Sequence, residues 1–231
     1  MSKLYNILFI FLFSIIKPLI KFVLPKFKQR EDYIKQNPIK PLLDSQKKTI
    51  WFHAASMGEF EQAKPVIEKI NKDKQYNIVC SFYSPSGFEN QKNYKYADYT
   101  CYLSFDTKKN AKHFIDTIKP DAAVVIRYDL WYNHISELNK RCIPLFLLCA
   151  TKPKRSFPQS YYKKIYGFCD TIITMSQNDT HYFESLDLKS YQMKKSYLKP
   201  LKNLIKLVSK RLELYMYHTS QSQKISRSYK N

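Results

Sequence analysis

Residues 51–64, WFHAASMGEFEQAK, decide the fold of this chain. The first residues form an apolar, aromatic run that is typical of a buried strand. The last residues have the 3.6-residue apolar spacing of a helix. The polar turn between them carries one carboxylate, Glu59, beside Gly58, the only glycine in the first eighty residues. Because the carboxyl ends of parallel strands border the ligand crevice of an open α/β sheet, the sequence predicts a functional site at this turn.

Strand and helix patterns alternate outward from this turn, between residues 49 and 187. The predicted strands are 49–54, 76–82, 99–103, 122–127, 143–149 and 171–175, and the predicted helices are 60–71, 87–95, 107–118, 129–140, 160–167 and 178–186. Such alternation indicates parallel βαβ units, whose right-handed crossovers place helices on both faces of the sheet. The predicted fold class is therefore α/β, a Rossmann-like doubly wound parallel sheet. The sequence contains neither a GxGxxG nor a GxxxxGK[ST] nucleotide fingerprint.

The two ends of the chain differ from this domain. Residues 1–25 are predicted to be a membrane-anchor helix, because an apolar run at 4–16 is followed by a basic cluster. The run could span the bilayer or lie in its interface. A cleaved signal peptide and a buried helix of the domain are the less favoured alternatives. Residues 26–48 are predicted to be a linker with a short helix around 31–35, and residues 188–231 a basic tail without strands, helical or disordered.

The charge balance favours an anionic partner. The chain has 231 residues, with 39 basic against 19 acidic residues and a net charge of +20. Such an excess suits a membrane surface, a phosphorylated substrate or nucleic acid, and compositional drift toward lysine is an equally good explanation. The five cysteines form no CxxC pair and the five histidines no HxxxH cluster, so we expect free thiols and no metal site.

Three segments together resemble one family. They are HAASMGEFEQ at 53–62, SFYSPSGFEN at 81–90 and RYDLWYNHISEL at 127–138. In this order and spacing they resemble the 3-deoxy-D-manno-octulosonic acid (Kdo) transferases, membrane-bound glycosyltransferases of lipopolysaccharide assembly. The resemblance implies the amino-terminal, acceptor-binding half of a GT-B enzyme on the cytoplasmic face of the inner membrane. It implies CMP-Kdo as donor, a lipid A precursor as acceptor, inner-membrane anionic lipids as partners, and no cofactor.

The resemblance covers residues 1 to about 187. The forty or so residues that follow cannot hold a second domain of about 150 residues. Either the chain is truncated near residue 187 or another chain supplies the missing half, without which CMP-Kdo is not bound. The loss of glycine and of strand alternation favours a truncated transferase without its donor-binding domain and with doubtful activity. The alternative is a non-catalytic, membrane-associated α/β module that binds anionic lipid. A nucleic-acid binder is not expected, because no recognised module is present.

The resemblance also assigns site residues. Glu59 matches the catalytic base of an inverting, metal-independent sugar transfer in this family. The spacing alone favours a different role for Glu59, that of a helix cap, because residues 56–59 have the SxxE pattern of a capping box. The predicted acceptor-binding residues are Ser56, Gly58, Ser84, Ser86, Gly87, Arg127 and Asp129. Position 127 is glutamate in many members and basic in others, so Arg127 is predicted to pair with an acceptor phosphate instead. His53 is predicted to pack structurally and Trp131 to form core or cleft wall.

Overall fold

A computed structural model describes residues 25–153 and 157–192. In this part of the chain, seven parallel strands form one sheet in the order β3-β2-β1-β4-β5-β6-β7. The strands are β1 (Lys48–Ala54), β2 (Tyr76–Phe82), β3 (Tyr99–Tyr102), β4 (Ala122–Ile126), β5 (Leu145–Ala150), β6 (Thr171–Thr174) and β7 (Ser190–Gln192). The helices are α1 (Pro25–Gln36), α2 (Met57–Ile70), α3 (Pro85–Gln91), α4 (Lys108–Ile118), α5 (Tyr132–Lys140), α6 (Gln159–Tyr166) and α7 (Gln177–Glu184).

Both faces of the sheet are covered, which confirms the predicted doubly wound parallel architecture. Alternate residues of a strand point to opposite faces. Accordingly, Phe52 belongs to the core layer that α2 covers with Phe60, whereas Trp51 belongs to the layer that α4 covers with Phe114. The apolar faces predicted for α2 and α4 are buried in these two layers. The five cysteines are free.

Two elements correct the predicted boundaries. Helix α1 fills a large part of what the sequence predicts as a linker, and it is a twelve-residue helix rather than a short one around 31–35. Strand β7 lies in the segment predicted to contain no strand, and it pairs in parallel with β6. A three-residue edge strand is too short to show apolar alternation, which explains why the pattern missed it. The sheet domain therefore extends beyond the predicted limits of 49 and 187.

Local details at the helix starts also differ from the predictions. Helix α5 begins at Tyr132 rather than at Asp129, because residues 127–131 form a loop at the end of β4. Thr107 caps α4 by accepting a hydrogen bond from the amide of Asn110, and it lies outside the helix that the sequence predicts to begin there. Ser176 caps α7, which begins at Gln177, one residue before the predicted start.

The terminal predictions fall mainly outside the described residues. This applies to the anchor at residues 1–24 and to the tail beyond residue 192. Within the described ranges, no helix combines the length and the apolarity that crossing a bilayer requires.

Candidate active site

The predicted site residues gather where the strand order reverses. Strand β1 has β2 on one side and β4 on the other, so the chain leaves β1 and β4 in opposite directions along the sheet. In open parallel sheets such a switch point leaves a crevice at the carboxyl ends of the strands. His53 of β1 pairs in register with Ser81 of β2 and with Val125 of β4. The turns that follow these three strands therefore meet at one edge.

Glu59 lies in the first turn of α2, immediately after β1. Its Oε2 accepts a hydrogen bond from the backbone amide of Ala55 at 2.8 Å. Ser56, the N-cap residue, makes no capping hydrogen bond with its side chain. The predicted capping box is therefore only partly formed: Glu59 reaches back to the amide one residue before the N-cap.

The environment of Glu59 raises its pKa. The residue is only 6% exposed, and loss of water from around the carboxylate is the largest cause of the shift. The amide of Ala55 opposes it, and the negative charge of Asp129 adds to it. His53 and Arg127 exert weaker effects in the opposite direction. Glu59 thus sits among polar and charged groups, and a carboxylate with a raised pKa is a stronger proton acceptor.

Asp129 is held by two ring donors. Its Oδ2 lies 2.9 Å from Nε2 of His53 and accepts a hydrogen bond from Nε1 of Trp131 at 3.0 Å. The Asp129 side chain is 20% exposed, while His53 is almost fully buried. The carboxylate therefore has a fixed orientation at the surface of the site. His53 does more than the structural packing that the sequence predicted.

A line of hydrogen bonds continues from His53 into the sheet. Nδ1 of His53 lies 2.8 Å from Oγ of Ser81, which in turn accepts a hydrogen bond from Nε1 of Trp51 at 2.8 Å. Since the Trp51 indole can only donate, Ser81 is free to donate its hydroxyl proton to Nδ1. In the tautomer that matches this arrangement, His53 carries its proton on Nε2 and donates it to Asp129, and the 3.2 Å contact of Nδ1 with the Ser81 carbonyl is then not a hydrogen bond. Every partner in this line then has a consistent role.

Arg127 stands at the end of β4, next to the Ala55 turn. Its backbone adopts a left-handed conformation with φ of 67°, and its amide donates to the carbonyl of Leu148 at 2.7 Å. A non-glycine residue with positive φ is uncommon and needs support from its surroundings. Within the described chain, Nε of Arg127 is buried and has no hydrogen-bond partner. The charge of Arg127 is close enough to Glu59 to lower the pKa of that carboxyl.

The turn after β2 packs against the turn after β1. The amide of Ser84 donates to the carbonyl of Ala55 at 2.8 Å, and Oγ of Ser84 accepts from the amide of Gly87 at 3.1 Å. Ser84 is therefore the N-cap of α3. The hydroxyl of Ser86 lies 3.1 Å from that of Ser84 and is exposed.

The two predicted glycines differ in their surroundings. A Cβ built on Gly87 would lie 2.9 Å from Cδ1 of Phe82, whereas a Cβ on Gly58 would meet no atom within 4 Å. Gly87 thus permits close packing of the two turns. Gly58 leaves open space at the start of α2.

A second buried pair, which sequence reasoning did not identify, lies beside the site. Asp106 is fully buried, and its Oδ1 lies 2.7 Å from Nδ1 of His134. Asp106 also accepts the backbone amides of Asn133 and His134 at 2.9 and 3.1 Å. It therefore caps α5 from a distant part of the chain, and it is not the cap of α4. Trp51 and Phe114 lie against the His134 ring, so this pair is structural.

The motifs and the sheet agree with one known family. A model of the 3-deoxy-D-manno-octulosonic-acid transferase (kdotransferase) family matches residues 26–223. The chain belongs to this Kdo transferase family. The match is to the amino-terminal domain, which is where the family resemblance of the three sequence segments had placed it.

Curated relatives support the assignment at moderate identity. The chain is 30% identical over 125 residues to the 3-deoxy-D-manno-octulosonic acid transferase of Haemophilus influenzae, covering 53% of this chain and 29% of that protein. It is 27% identical over 152 residues to the enzyme of the same name from Aquifex aeolicus, covering 65% of this chain and 40% of that protein. The chain thus spans less than half the length of these relatives.

A solved structure supports the fold. UDP-GlcNAc 2-epimerase from Neisseria meningitidis, bound to UDP-GlcNAc, superimposes with a TM-score of 0.50 at 11% sequence identity. The alignment covers 75% of this chain and 53% of that one. At this identity the likeness concerns the fold alone.

The three Kdo transferase segments supply the residues of the site, but not the contacts between them. HAASMGEFEQ supplies His53 and Glu59, and RYDLWYNHISEL supplies Asp129. The aromatic partner of Trp131 comes from SFYSPSGFEN: Tyr83 stacks on it with ring centroids 4.9 Å apart and 26° between the planes. Sequence reasoning missed this contact, because only the sheet order brings the ends of β2 and β4 to the same edge.

Proposed function

We propose that this domain is the acceptor-binding half of a Kdo transferase and that Glu59 is the general base of the transfer. The observation that carries the proposal is the position of Glu59: a carboxylate with a raised pKa at the switch point of a parallel sheet, within the family's first motif. A general base with a raised pKa is better matched to reaction near neutral pH.

The proposed reaction transfers Kdo from CMP-Kdo to a hydroxyl of a lipid A precursor. Glu59 takes the proton of the acceptor hydroxyl as its oxygen attacks the anomeric carbon of Kdo. The bond between that carbon and the phosphate oxygen breaks, and CMP leaves with the bonding electron pair. Attack opposite the leaving group inverts the anomeric centre. The donor is expected to bind to a second domain, as in the GT-B arrangement.

The remaining predicted residues are proposed to bind the acceptor. Gly58 leaves open space for a sugar to approach the start of α2, and the hydroxyls of Ser56 and Ser86 are not used as helix caps. Arg127 carries the charge that an acceptor phosphate requires. Asp129 is fixed by two donors and can accept a hydrogen bond from a sugar hydroxyl. Ser84 and Gly87 are proposed to shape the acceptor side through the tight turn that they form.

We further propose that the domain acts at the cytoplasmic face of the inner membrane. The net charge of +20 supports attraction to anionic lipid headgroups. Flotation of the full chain with vesicles tests this proposal. Vesicles of zwitterionic lipid alone should recover less protein than vesicles containing anionic lipid, and equal recovery would contradict it.

The function is tested with the full chain, a lipid A precursor in detergent, CMP-Kdo and a separately supplied donor-binding domain of a Kdo transferase. Acceptor binding is measured by calorimetry, and the transferred sugar is detected by mass spectrometry. Glu59→Gln should keep acceptor binding and reduce turnover by about 100-fold or more, within the usual range for loss of a general base. Glu61→Gln is the matched control, because Glu61 lies on the same helix but is exposed and pairs with Lys64.

Two results would refute the proposal. One is absence of lipid A precursor binding by the folded chain. The other is turnover that Glu59→Gln and Glu61→Gln affect equally. Acceptor binding without turnover in the presence of the donor-binding domain, together with binding of anionic vesicles, would instead favour the non-catalytic lipid-binding module.

A further inference from the structure

We propose that Arg30 is a positioning residue of the acceptor site. Its guanidinium supports Tyr83, which stacks on Trp131, and Trp131 holds the carboxylate of Asp129. This inference rests on the proposed function for the role of Asp129. None of the three segments that carry the family resemblance contains Arg30, which lies on α1 in the segment that the sequence predicts as a linker.

The burial of Arg30 is the first observation. The residue is 1% exposed, although arginine is almost never fully buried unless it is paired. Its Nη1 donates to Oε1 of Glu31 at 2.6 Å, and Nη2 donates to the carbonyl of Leu103. Loss of water from around the guanidinium lowers the pKa of Arg30, because burial disfavours its charged form. A buried charge of this kind is retained only where strong local contacts compensate for it.

Aromatic rings provide those contacts. The guanidinium carbon lies 4.5 Å from the centroid of Tyr83, 4.9 Å from that of Phe105 and 5.7 Å from that of Tyr102. Cation–π attraction is strongest when the cation is desolvated, as it is here. A planar guanidinium can also stack on a ring, which a lysine ammonium cannot do.

The contact continues from Tyr83 to the site. Arg30 lies against the Tyr83 ring, and the same ring stacks on Trp131. Nε1 of Trp131 then donates to Oδ2 of Asp129 at 3.0 Å. The orientation of Asp129 thus depends on the indole, and the indole packs on a ring that Arg30 supports. A small displacement of such supporting groups can cost up to about 100-fold in rate.

The support that Arg30 gives to Tyr83 depends on how helix α1 packs against the sheet. Arg30 reaches the carbonyl of Leu103, one residue beyond β3, so this part of α1 lies at the same sheet edge as Asp129. Tyr33, one turn further along α1, packs on Phe88 with ring centroids 5.0 Å apart. The docking of α1 and the geometry of the site are therefore linked through one side chain.

The test uses the full chain labelled with 5-fluorotryptophan. The chain contains two tryptophans, so fluorine NMR gives two resonances, and Trp131→Phe assigns them. Arg30→Met should shift the Trp131 resonance and leave the Trp51 resonance in place. Arg30→Lys should shift the same resonance, because the charge remains but the planar group is lost. Arg141→Met, which removes a partly exposed arginine paired with Glu137, should shift neither.

Acceptor binding completes the test. Arg30→Met should weaken binding of the lipid A precursor by about tenfold, as expected when a hydrogen bond to a charged group is disturbed. Arg30→Lys should weaken it in the same direction, which keeps the proposal testable if Arg30→Met does not fold. Tyr83→Leu removes the stacked ring itself and should weaken binding at least as much. Circular dichroism establishes folding for each variant.

An unshifted Trp131 resonance in a folded Arg30→Met or Arg30→Lys variant would overturn the inference. So would wild-type acceptor affinity in such a variant. The failure of the proposed function is distinguishable, because in that case the wild-type chain binds no lipid A precursor, while the fluorine spectra still report whether Arg30 supports the stack.

Discussion

Replacing the two site glycines by alanine should change stability in opposite directions. Both residues lie in the first turns of helices beside the site, and both are predicted to serve the acceptor. Alanine has the higher helix propensity, so propensity alone would stabilise both variants. The structure predicts otherwise, because only one of the two positions has room for a methyl group.

The magnitudes follow from the distances. At Gly87, the new Cβ would lie 2.9 Å from Cδ1 of Phe82 and 3.4 Å from the amide nitrogen of Met57. Phe82 is fully buried and packs on Phe60 at 4.8 Å, so its ring cannot move aside freely. Such overpacking costs about 1–3 kcal/mol. At Gly58 the methyl group meets nothing, and the loss of unfolded-state entropy stabilises the protein by about 0.4–1 kcal/mol.

The assay is urea unfolding of each variant, followed by circular dichroism. The free energies of unfolding should differ by about 1–3 kcal/mol between Gly58→Ala and Gly87→Ala, because the entropy gain is common to both variants and only Gly87→Ala adds the overpacking cost. Thermal unfolding should agree, with roughly 2–4 °C for each kcal/mol in a domain of this size. If Gly87→Ala were as stable as Gly58→Ala, the tight contact between the turns after β1 and β2 would be refuted.

Two further predictions concern charged groups. The pKa of Glu59, followed by carboxyl ¹³C NMR, should fall in Asp129→Asn, because this variant removes a negative neighbour that raises the pKa. It should rise in Arg127→Gln, because this variant removes a cation that lowers the pKa. If both variants shifted the pKa in the same direction, the charge arrangement around Glu59 would be refuted. Asp106→Ala should lower the free energy of unfolding by about 3–5 kcal/mol in urea titrations, because the variant leaves buried donors at the start of α5 unpaired. A loss below about 1 kcal/mol would contradict the role of Asp106 as the cap of α5.

The sequence predicts the site edge well because strand ends carry a local signal. The apolar run that ends at Ala54 and the helical spacing that starts at Phe60 fix the turn between them, and Glu59 lies in it. The same logic places Asp129 after the strand that ends at Ile126. Parallel strands then bring both turns to one edge without any further information.

The supporting contacts could not be predicted, since each joins residues far apart in the chain. Arg30 forms a hydrogen bond with Leu103, 73 positions away, and His53 forms one with Asp129, 76 positions away. A histidine in a buried strand is most simply explained by packing, and an arginine in a polar segment by solvation. Their partners are set by the sheet order, which no periodicity in the sequence reports.

The two interpretations of Glu59, helix cap and catalytic base, are compatible in this geometry. The hydrogen bond from the Ala55 amide fixes the carboxylate through Oε2 and favours its charged form. Burial disfavours the charged form and has the larger effect, so the net pKa is raised despite the cap. The cap thus supplies orientation and the desolvation supplies basicity. A residue that served only as a cap would gain nothing from the burial, since an exposed carboxylate caps a helix at lower cost.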